Sequence, residues 1–370
     1  MAKMEKKKVL LVADSNMSLS GVPVVFMSIV RLLSDEYQFD IIVLKDNDMY
    51  FEKEFLTYGG KVFRFNCPKP NNFFKKFFWL TTKYYKTVKS FLNKDIDLKQ
   101  YTAIHSFHEG FSYPFLKEAM RAGVSKRILH ICSAKSAYPK DKTFSQLMFD
   151  WYQKKAMKCC TNIAFVSQKS LELNNYKDKG VVLYNIYDEN KFGEITECTH
   201  NNLVLTQIAT FSSRKNQLFS LEVTKLIKKS YPNVILNIVG FEIEVGYLQK
   251  LKTFIEDNDL QENVIFLGNK ADRIELNRQT SYMLYPSTME SFGLVLIESQ
   301  ACGIHCFANK DIPNDADMGN TDFIKLDATL WANSIINHFN KNGNSRKKPA
   351  NKDKFSSSQF IATLKSLYEL

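Results

Sequence analysis

The sequence predicts an α/β protein of two domains, each built on a parallel β-sheet with helices on both faces. The chain has 370 residues, which is long for one domain and suits two. Short β-rich runs alternate with longer helical patterns almost from end to end, and repeated β-α-β units form parallel sheets. Several of these runs are continuously apolar, as expected for strands that helices cover on both faces.

The first half of the chain predicts a domain over residues 1–190. Short apolar runs indicate strands at residues 9–13, 39–44, 61–65, 103–105, 127–130, 163–166 and 181–183. Helical spacing of apolar residues covers residues 22–33, 73–93 and 113–121. These elements alternate in the order that a doubly wound sheet requires.

The second half repeats the scheme over residues 203–354, after a polar linker at residues 191–202. Its strands are predicted at residues 203–209, 234–239, 264–267, 283–285 and 306–308. Its helices are predicted at residues 217–229, 247–258, 273–280 and 292–302. A last amphipathic segment, residues 355–370, is expected to cross back to the first domain. Ligands of such sheets bind at the carboxyl ends of the strands, so a ligand is expected in the cleft that the two domains face.

The composition indicates in which cellular compartment the protein works and what charge its partner carries. The seven cysteines are scattered and form no C-x-x-C pair, which favours free thiols in a reducing compartment over disulfides or structural zinc. The first residues lack the pattern of a signal peptide, and the longest apolar stretch, residues 21–33, is too short to span a bilayer. We therefore expect a cytoplasmic protein, either free or peripheral at the inner face of the plasma membrane. The formal charge of +11 favours an anionic partner.

Residues 69–94 are both basic and aromatic, and three interpretations are open. An amphipathic helix could pack its aromatic stripe on the sheet, or it could lie on an anionic membrane with a cationic rim. Stacking on nucleic acid is the third interpretation, but no recognition module accompanies it, so we predict no nucleic-acid partner.

The segment with the most chemical information is residues 285–303. A strand ends at Tyr285, a turn follows, and a helix is predicted from Phe292, so that Glu290 precedes the helix and Glu298 lies inside it. The start of a helix carries unpaired N–H groups and a partial positive charge, which suits a diphosphate. Gly293 would allow the backbone to approach that ligand closely.

These residues carry a resemblance to a known family. The run E-S-F-G-L-V-L-I-E, from Glu290 to Glu298, resembles the E-x7-E motif of the retaining glycosyltransferases of family 4, the group 1 enzymes of bacterial surface polysaccharide synthesis. Residues 209–216 resemble the family's phosphate-binding K-N segment, and residues 234–240 and 264–268 resemble two strand ends of its second domain. Residues 185–192 resemble the end of its first domain, and residues 164–167 resemble the strand end that precedes it. Gly21 stands where the family has a glycine-rich acceptor loop, and His130 where it has a cleft histidine.

The resemblance implies the GT-B architecture and a division of roles. Glu298 would hold the ribose hydroxyls, Glu290 would contact the transferred sugar, and Lys215 with Arg214 would neutralise the departing diphosphate. His130 would touch the sugar or the acceptor. The remaining donor-binding candidates flank these positions and are Ser291, Phe292, Gly293, Leu294 and Gly240. The implied reaction transfers a hexosyl group from a nucleotide diphosphate sugar to a glycan or lipid-linked acceptor.

The sequence departs from the family pattern where Ala209 and Thr210 replace the usual Gly-Arg pair. Either Arg214 supplies the missing charge or phosphate binding is weaker. Because of this departure, a second function remains open: a non-catalytic protein that binds sugar nucleotides and is a partner of another transferase. A UDP-sugar 2-epimerase of the same fold is the other alternative. No Asp-x-Asp pair stands at a strand end, so neither a metal nor a cofactor besides the donor is expected.

Overall fold

The protein is described by a computed structural model over residues 6–13, 17–18, 21–44, 49–67, 79–132, 144–173, 177–195, 197–269 and 272–369. The chain divides into two compact units. The first consists of Met1–Asn185 together with Ser357–Leu370, and the second is Ile186–Ser356.

The first unit is built on a seven-stranded parallel sheet with the order β3-β2-β1-β4-β5-β6-β7. Its strands are β1 Lys7–Val12, β2 Tyr37–Val43, β3 Val62–Arg64, β4 Ala103–Ser106, β5 Lys126–Ile131, β6 Asn162–Phe165 and β7 Gly180–Val182. The central strand β1 is apolar on both faces, and its residues Val9, Leu10, Leu11 and Val12 are fully buried. Coverage of both faces by helices explains this continuous apolar run.

In the described part of the first unit, six α-helices precede the second unit in the chain. They are α1 Gly21–Leu33, α2 Glu52–Thr57, α3 Tyr84–Asp95, α4 Tyr113–Arg121, α5 Phe144–Cys159 and α6 Gln168–Glu172. The sequence prediction missed α2, α5 and α6. Apolar periodicity is weak in α5, where Gln, Asp and Lys interrupt the buried residues Tyr152 and Ala156.

The aromatic segment predicted at residues 69–94 is described from Trp79 onward, and residues 68–78 lie outside the described residues. A π-helical turn, Trp79–Lys83, leads into α3. The rings of Trp79 and Tyr84 are buried and 4.7 Å apart, and they join the core of the first unit. Lys83, Lys86 and Lys89 are exposed. The part of this segment that is described thus packs its aromatic side chains inward and keeps its lysines in water.

The second unit is built on a six-stranded parallel sheet with the order β10-β9-β8-β11-β12-β13. Its strands are β8 Val204–Ile208, β9 Ile235–Val239, β10 Val264–Gly268, β11 Tyr282–Tyr285, β12 His305–Asn309 and β13 Thr321–Ile324. Its helices are α7 Glu189–Phe192, α8 Gln217–Lys228, α9 Tyr247–Asp257, α10 Arg273–Gln279, α11 Leu294–Ala301 and α12 Ala328–Asn342. The prediction of two α/β domains with parallel sheets is confirmed.

The second unit corrects the sequence prediction at three places. The predicted linker begins inside α7, where the Asp188 side chain caps the helix by accepting a hydrogen bond from the Asn190 amide at 3.1 Å. Strand β13 is a half-buried edge strand of mixed polarity, so no apolar run marks it. Helix α12 contains several asparagines, which weaken the helical signal, although Trp331 and Ile335 are fully buried.

The last helix, α13 Ser357–Tyr368, is part of the first unit. Tyr368 is buried there, with its ring edge-on to Tyr37 at 5.6 Å. Among the residues described in both units, no helix is long and apolar enough to cross a bilayer.

Candidate active site

Two loops of the second unit meet at the carboxyl end of its sheet. The loop after β8 carries Arg214 and Lys215, and the loop after β11 carries Glu290. Because β8 and β11 are neighbours, their carboxyl ends lie side by side. The amide of Thr288 donates to the carbonyl of Arg214 at 2.9 Å, which ties one loop to the other.

Lys215 and Glu290 form an ion pair where these loops meet. The ammonium group of Lys215 hydrogen-bonds the carboxylate of Glu290, and the two side chains are only 15% and 9% exposed. Removing two charges from water costs free energy that their attraction does not reliably offset, so such a pair is poorly explained by stability alone. Paired charges held with little water at a sheet's ligand-binding edge are typical of a functional site.

Tyr285 lies beneath this pair and extends it. Its ring centroid lies 5.8 Å from the Lys215 ammonium nitrogen, and its hydroxyl group lies close enough to Glu290 to feel the charge of that carboxylate. Burial, followed by the charge of Glu290, raises the pKa of Tyr285 well above its usual value. The phenol therefore stays protonated beside the glutamate.

Arg214 adds a second cation at the same junction. Its Nη1 atom donates to the carbonyl of Met289 at 3.2 Å, so its guanidinium lies against the loop that carries Glu290. At Thr210, the position of the expected family arginine, the backbone carbonyl accepts a hydrogen bond from Gln217 at 3.0 Å. The geometry thus supplies a positive charge from Arg214 although Thr210 carries none.

Glu244 holds the cation-bearing loop in place, and the sequence offered no signal for it. One of its oxygens accepts hydrogen bonds from both the amide and the hydroxyl of Ser213, at 2.7 and 2.8 Å. These bonds lower the pKa of Glu244. The contact fixes the residue immediately before Arg214, and it depends on the adjacency of β8 and β9 in the sheet.

Helix α11 begins one residue after Gly293, which has a φ of 124°. Only glycine adopts this backbone conformation without strain. The helix therefore begins at Leu294, two residues later than predicted. Phe292 is buried with its ring 5.8 Å from that of Phe355, so its side chain supports the turn. Ser291 and Leu294 are half-buried on either side. The prediction that these four residues bind the donor stays a prediction.

Glu298 lies in the middle of α11 and pairs with Arg273, the first residue of α10. An Nη2 atom of Arg273 is 2.5 Å from Oε2 of Glu298. Burial raises the pKa of Glu298, and the neighbouring guanidinium opposes this shift. The charges of Glu290 and, more weakly, Glu298 both raise the pKa of Tyr285.

Gly240, at the end of β9, permits a close backbone contact. A Cβ atom there would lie 2.0 Å from the carbonyl oxygen of Ala209, and φ is 146°. The structure therefore gives Gly240 a packing role next to the cation-bearing loop. Donor contact by this residue remains a prediction.

We expect Gly240→Ala to destabilise the second unit by about 3 kcal/mol, through overpacking against a backbone atom that cannot move away. Urea unfolding followed by circular dichroism measures the effect. Gly246→Ala is the matched control, since Gly246 also has positive φ (81°) but has open space around its Cβ position. Equal unfolding midpoints for the two variants would contradict this explanation.

The two predicted site residues of the first unit are described separately. His130 is fully buried on β5, and its Nδ1 atom lies 3.2 Å from Nε2 of His105. Burial lowers its pKa to about 3, so the ring is neutral. Its Nε2 atom has no hydrogen-bond partner among the described residues. Gly21 is the first residue of α1, with open space at its Cβ position.

The described residues hold no cluster of three or more histidine, cysteine, aspartate or glutamate side chains suited to a metal ion.

The fold is shared with solved glycosyltransferases. HepE of Anabaena, solved in complex with UDP, superimposes with a TM-score of 0.76 at 18% identity, covering 97% of this chain and 100% of that one. TarM superimposes with a TM-score of 0.76 at 12% identity over the full length of both chains. The fold is therefore of the GT-B class.

The sequence is similar to those of glycosyltransferases. Residues 189–321 match the family model "Glycosyl transferases group 1". The chain is 22% identical over 295 residues to the capsular polysaccharide biosynthesis glycosyltransferase CapH of Staphylococcus aureus, covering 77% of this chain and 76% of CapH. It is 21% identical over 350 residues to the putative glycosyltransferase EpsF of Bacillus subtilis, covering 87% and 85%.

These matches confirm the resemblance seen in the motifs. The second unit contains a region similar to the group 1 glycosyltransferases, and the chain has the GT-B architecture.

Proposed function

We propose that the protein transfers a sugar from a nucleotide diphosphate sugar to a glycan or lipid-linked acceptor in surface polysaccharide assembly, with retention of anomeric configuration. The observation that carries the proposal is the Lys215–Glu290 pair, which stands beside the start of α11 while Glu298 lies on the same helix. The relatives CapH and EpsF support the proposed class of product and reaction.

Each charged group has a role in this reaction. Lys215 and Arg214 stabilise the negative charge that develops on the leaving diphosphate, which is the largest catalytic term when the leaving group is already acidic. The start of α11 adds backbone N–H donors to the same charge. Cations from the protein suffice for this task, so we propose a metal-independent hexosyl transfer without a further cofactor.

Glu290 and Glu298 contact different parts of the sugar nucleotide. Glu290, balanced by Lys215, contacts the transferred sugar. Glu298 accepts the hydroxyl groups of the ribose. The first unit binds the acceptor, with His130 and the loop at Gly21 as its proposed contacts. We propose UDP or GDP as the nucleotide; UDP is the first to test because HepE was solved with UDP and with UDP-glucose.

We further propose that the protein works at the inner face of the plasma membrane, where a lipid-linked acceptor is accessible. The exposed lysines of α3 and the net charge of +11 would favour an anionic surface. The buried rings of Trp79 and Tyr84 assign the described aromatic residues to the core, so the attraction would be electrostatic.

We expect thermal-shift assays with UDP, GDP and ADP to show a raised melting temperature with one of them. A ligand at a hundredfold excess over its Kd stabilises the folded state by about 2.7 kcal/mol. Glu298→Ala should abolish most of the shift, whereas Glu256→Ala, at an exposed position of α9, should retain it. No shift with any nucleotide or sugar nucleotide would contradict the proposal.

A non-catalytic partner of another transferase is the second candidate, and the absence of an arginine at position 210 favours it. This candidate predicts that the protein binds a nucleotide in the thermal-shift assay but neither transfers the sugar nor slowly hydrolyses the donor. Detection of free sugar released from the bound donor, lost in the Lys215→Met variant, would exclude this candidate.

A further inference from the structure

Arg273 and Glu298 form an ion pair at the position proposed for the ribose. The bond of 2.5 Å engages Oε2, which is one of the two carboxylate oxygens. The side chains are 31% and 17% exposed, so the pair is largely covered but still in contact with solvent. A carboxylate with two oxygens can therefore be held at one and accept donors at the other.

Arg273 is rigidly placed for this contact. It is the first residue of α10, and the Asp272 side chain caps that helix by accepting hydrogen bonds from the amides of Ile274 and Glu275 at 2.9 and 3.3 Å. The guanidinium centre lies 6.0 Å from the ring centroid of Phe192. A cation at the start of a helix opposes the helix dipole, so helix stability does not explain its presence there.

The groups packed around Glu298 shift its pKa in opposite directions. Burial raises its pKa most strongly, Arg273 opposes this most strongly, Lys191 also lowers it and Asp188 raises it. The other titratable neighbours of Glu298 are the buried side chains of Tyr285 and Cys302. Arg273 is thus the principal group that opposes the rise in the pKa of Glu298.

We infer that Arg273 is a positioning residue of the donor site: it holds one oxygen of Glu298 and leaves the other to accept the ribose hydroxyl groups. The inference rests on the proposed function, in which Glu298 binds the ribose. Arg273 would then contribute to selectivity for the pentose of the nucleotide, because a fixed and charged acceptor distinguishes a ribose from a deoxyribose. A buried acceptor left without its donor disfavours the deoxy analogue.

The test compares the Kd values of UDP and 2′-deoxy-UDP, measured by isothermal titration calorimetry from pH 6 to pH 8.5. For the unmodified protein we expect UDP to bind at least about tenfold more tightly than 2′-deoxy-UDP at pH 7.5. Arg273→Gln should reduce this preference to less than about threefold at pH 7.5. The preference should return as the pH rises, because without Arg273 the pKa of Glu298 moves further upward and the carboxylate ionises only at higher pH.

Arg278→Gln is the matched control, since Arg278 lies on the same helix and its ion pair among the described residues is an exposed contact with Glu275 at 3.7 Å. It should preserve the preference at every pH. Arg273→Lys, which keeps the charge, should retain part of it and guards against a folding defect in Arg273→Gln.

Three results would overturn the inference. An Arg273→Gln variant with unchanged Kd values for both nucleotides would show that Glu298 needs no partner. Equal weakening of both nucleotides at every pH would indicate a purely structural role for Arg273. Failure of the unmodified protein to bind UDP, GDP or ADP would reject the proposed function itself, and this result is distinct from the other two.

Discussion

Lys215→Met is expected to lower kcat for sugar transfer by about 10²- to 10³-fold, the loss typical of removing one preorganised donor to a developing negative charge. Methionine has a similar length but no charge, so the diphosphate would leave without its main counterion. Initial rates of transfer, or of donor hydrolysis where the acceptor is unknown, measure the effect.

The same substitution leaves Glu290 without its cation, and breaking a largely buried pair destabilises a protein by about 3–5 kcal/mol. The double variant Lys215→Met/Glu290→Gln separates the two effects, because it removes both charges and should recover most of the lost stability without recovering activity. Lys225→Met, at an exposed position in the last turn of α8, is the control for the loss of a lysine. Full activity in the single Lys215 variant would contradict the proposed role.

Glu290→Gln is expected to lower kcat by about 10²-fold or more while changing the Kd of the free nucleotide by less than about twofold. Glutamine keeps the shape of the side chain, but it no longer offers a negative charge to the sugar in the transition state. Steady-state kinetics and nucleotide titration give the two numbers.

The control for this change is Glu275→Gln, which neutralises an exposed glutamate of α10 whose partner is Arg278. It should leave both values unchanged. Unchanged kcat in Glu290→Gln would remove Glu290 from the catalytic machinery. A large rise in the Kd of the nucleotide alone would instead assign Glu290 to nucleotide binding.

Much of the site in the second unit could be predicted from the sequence because its residues cluster along the chain. The run from Glu290 to Glu298 contains the loop, the glycine start and the helix in one segment. The preceding strand and the polar turn identify the carboxyl end of β11, where a parallel sheet binds its ligands. Lys215 follows another strand, so its proximity to Glu290 follows once β8 and β11 are known to be neighbours.

The supporting contacts could not be predicted, since they join residues far apart in the chain. Ser213 and Glu244 meet because the strand order places β9 beside β8, and Arg273 reaches Glu298 from the start of a different helix. Each of these side chains alone is an ordinary surface charge in the sequence. Local propensity also failed for α12 and β13, whose polar residues conceal elements that the tertiary core stabilises.

The most direct test of the central claim is a crystal structure of the protein with the nucleoside diphosphate that gives the largest thermal shift. We predict diphosphate oxygens within about 3 Å of the Lys215 ammonium group and a ribose hydroxyl at a similar distance from the free oxygen of Glu298. A nucleotide bound elsewhere, with the Lys215–Glu290 and Arg273–Glu298 pairs undisturbed, would contradict the account.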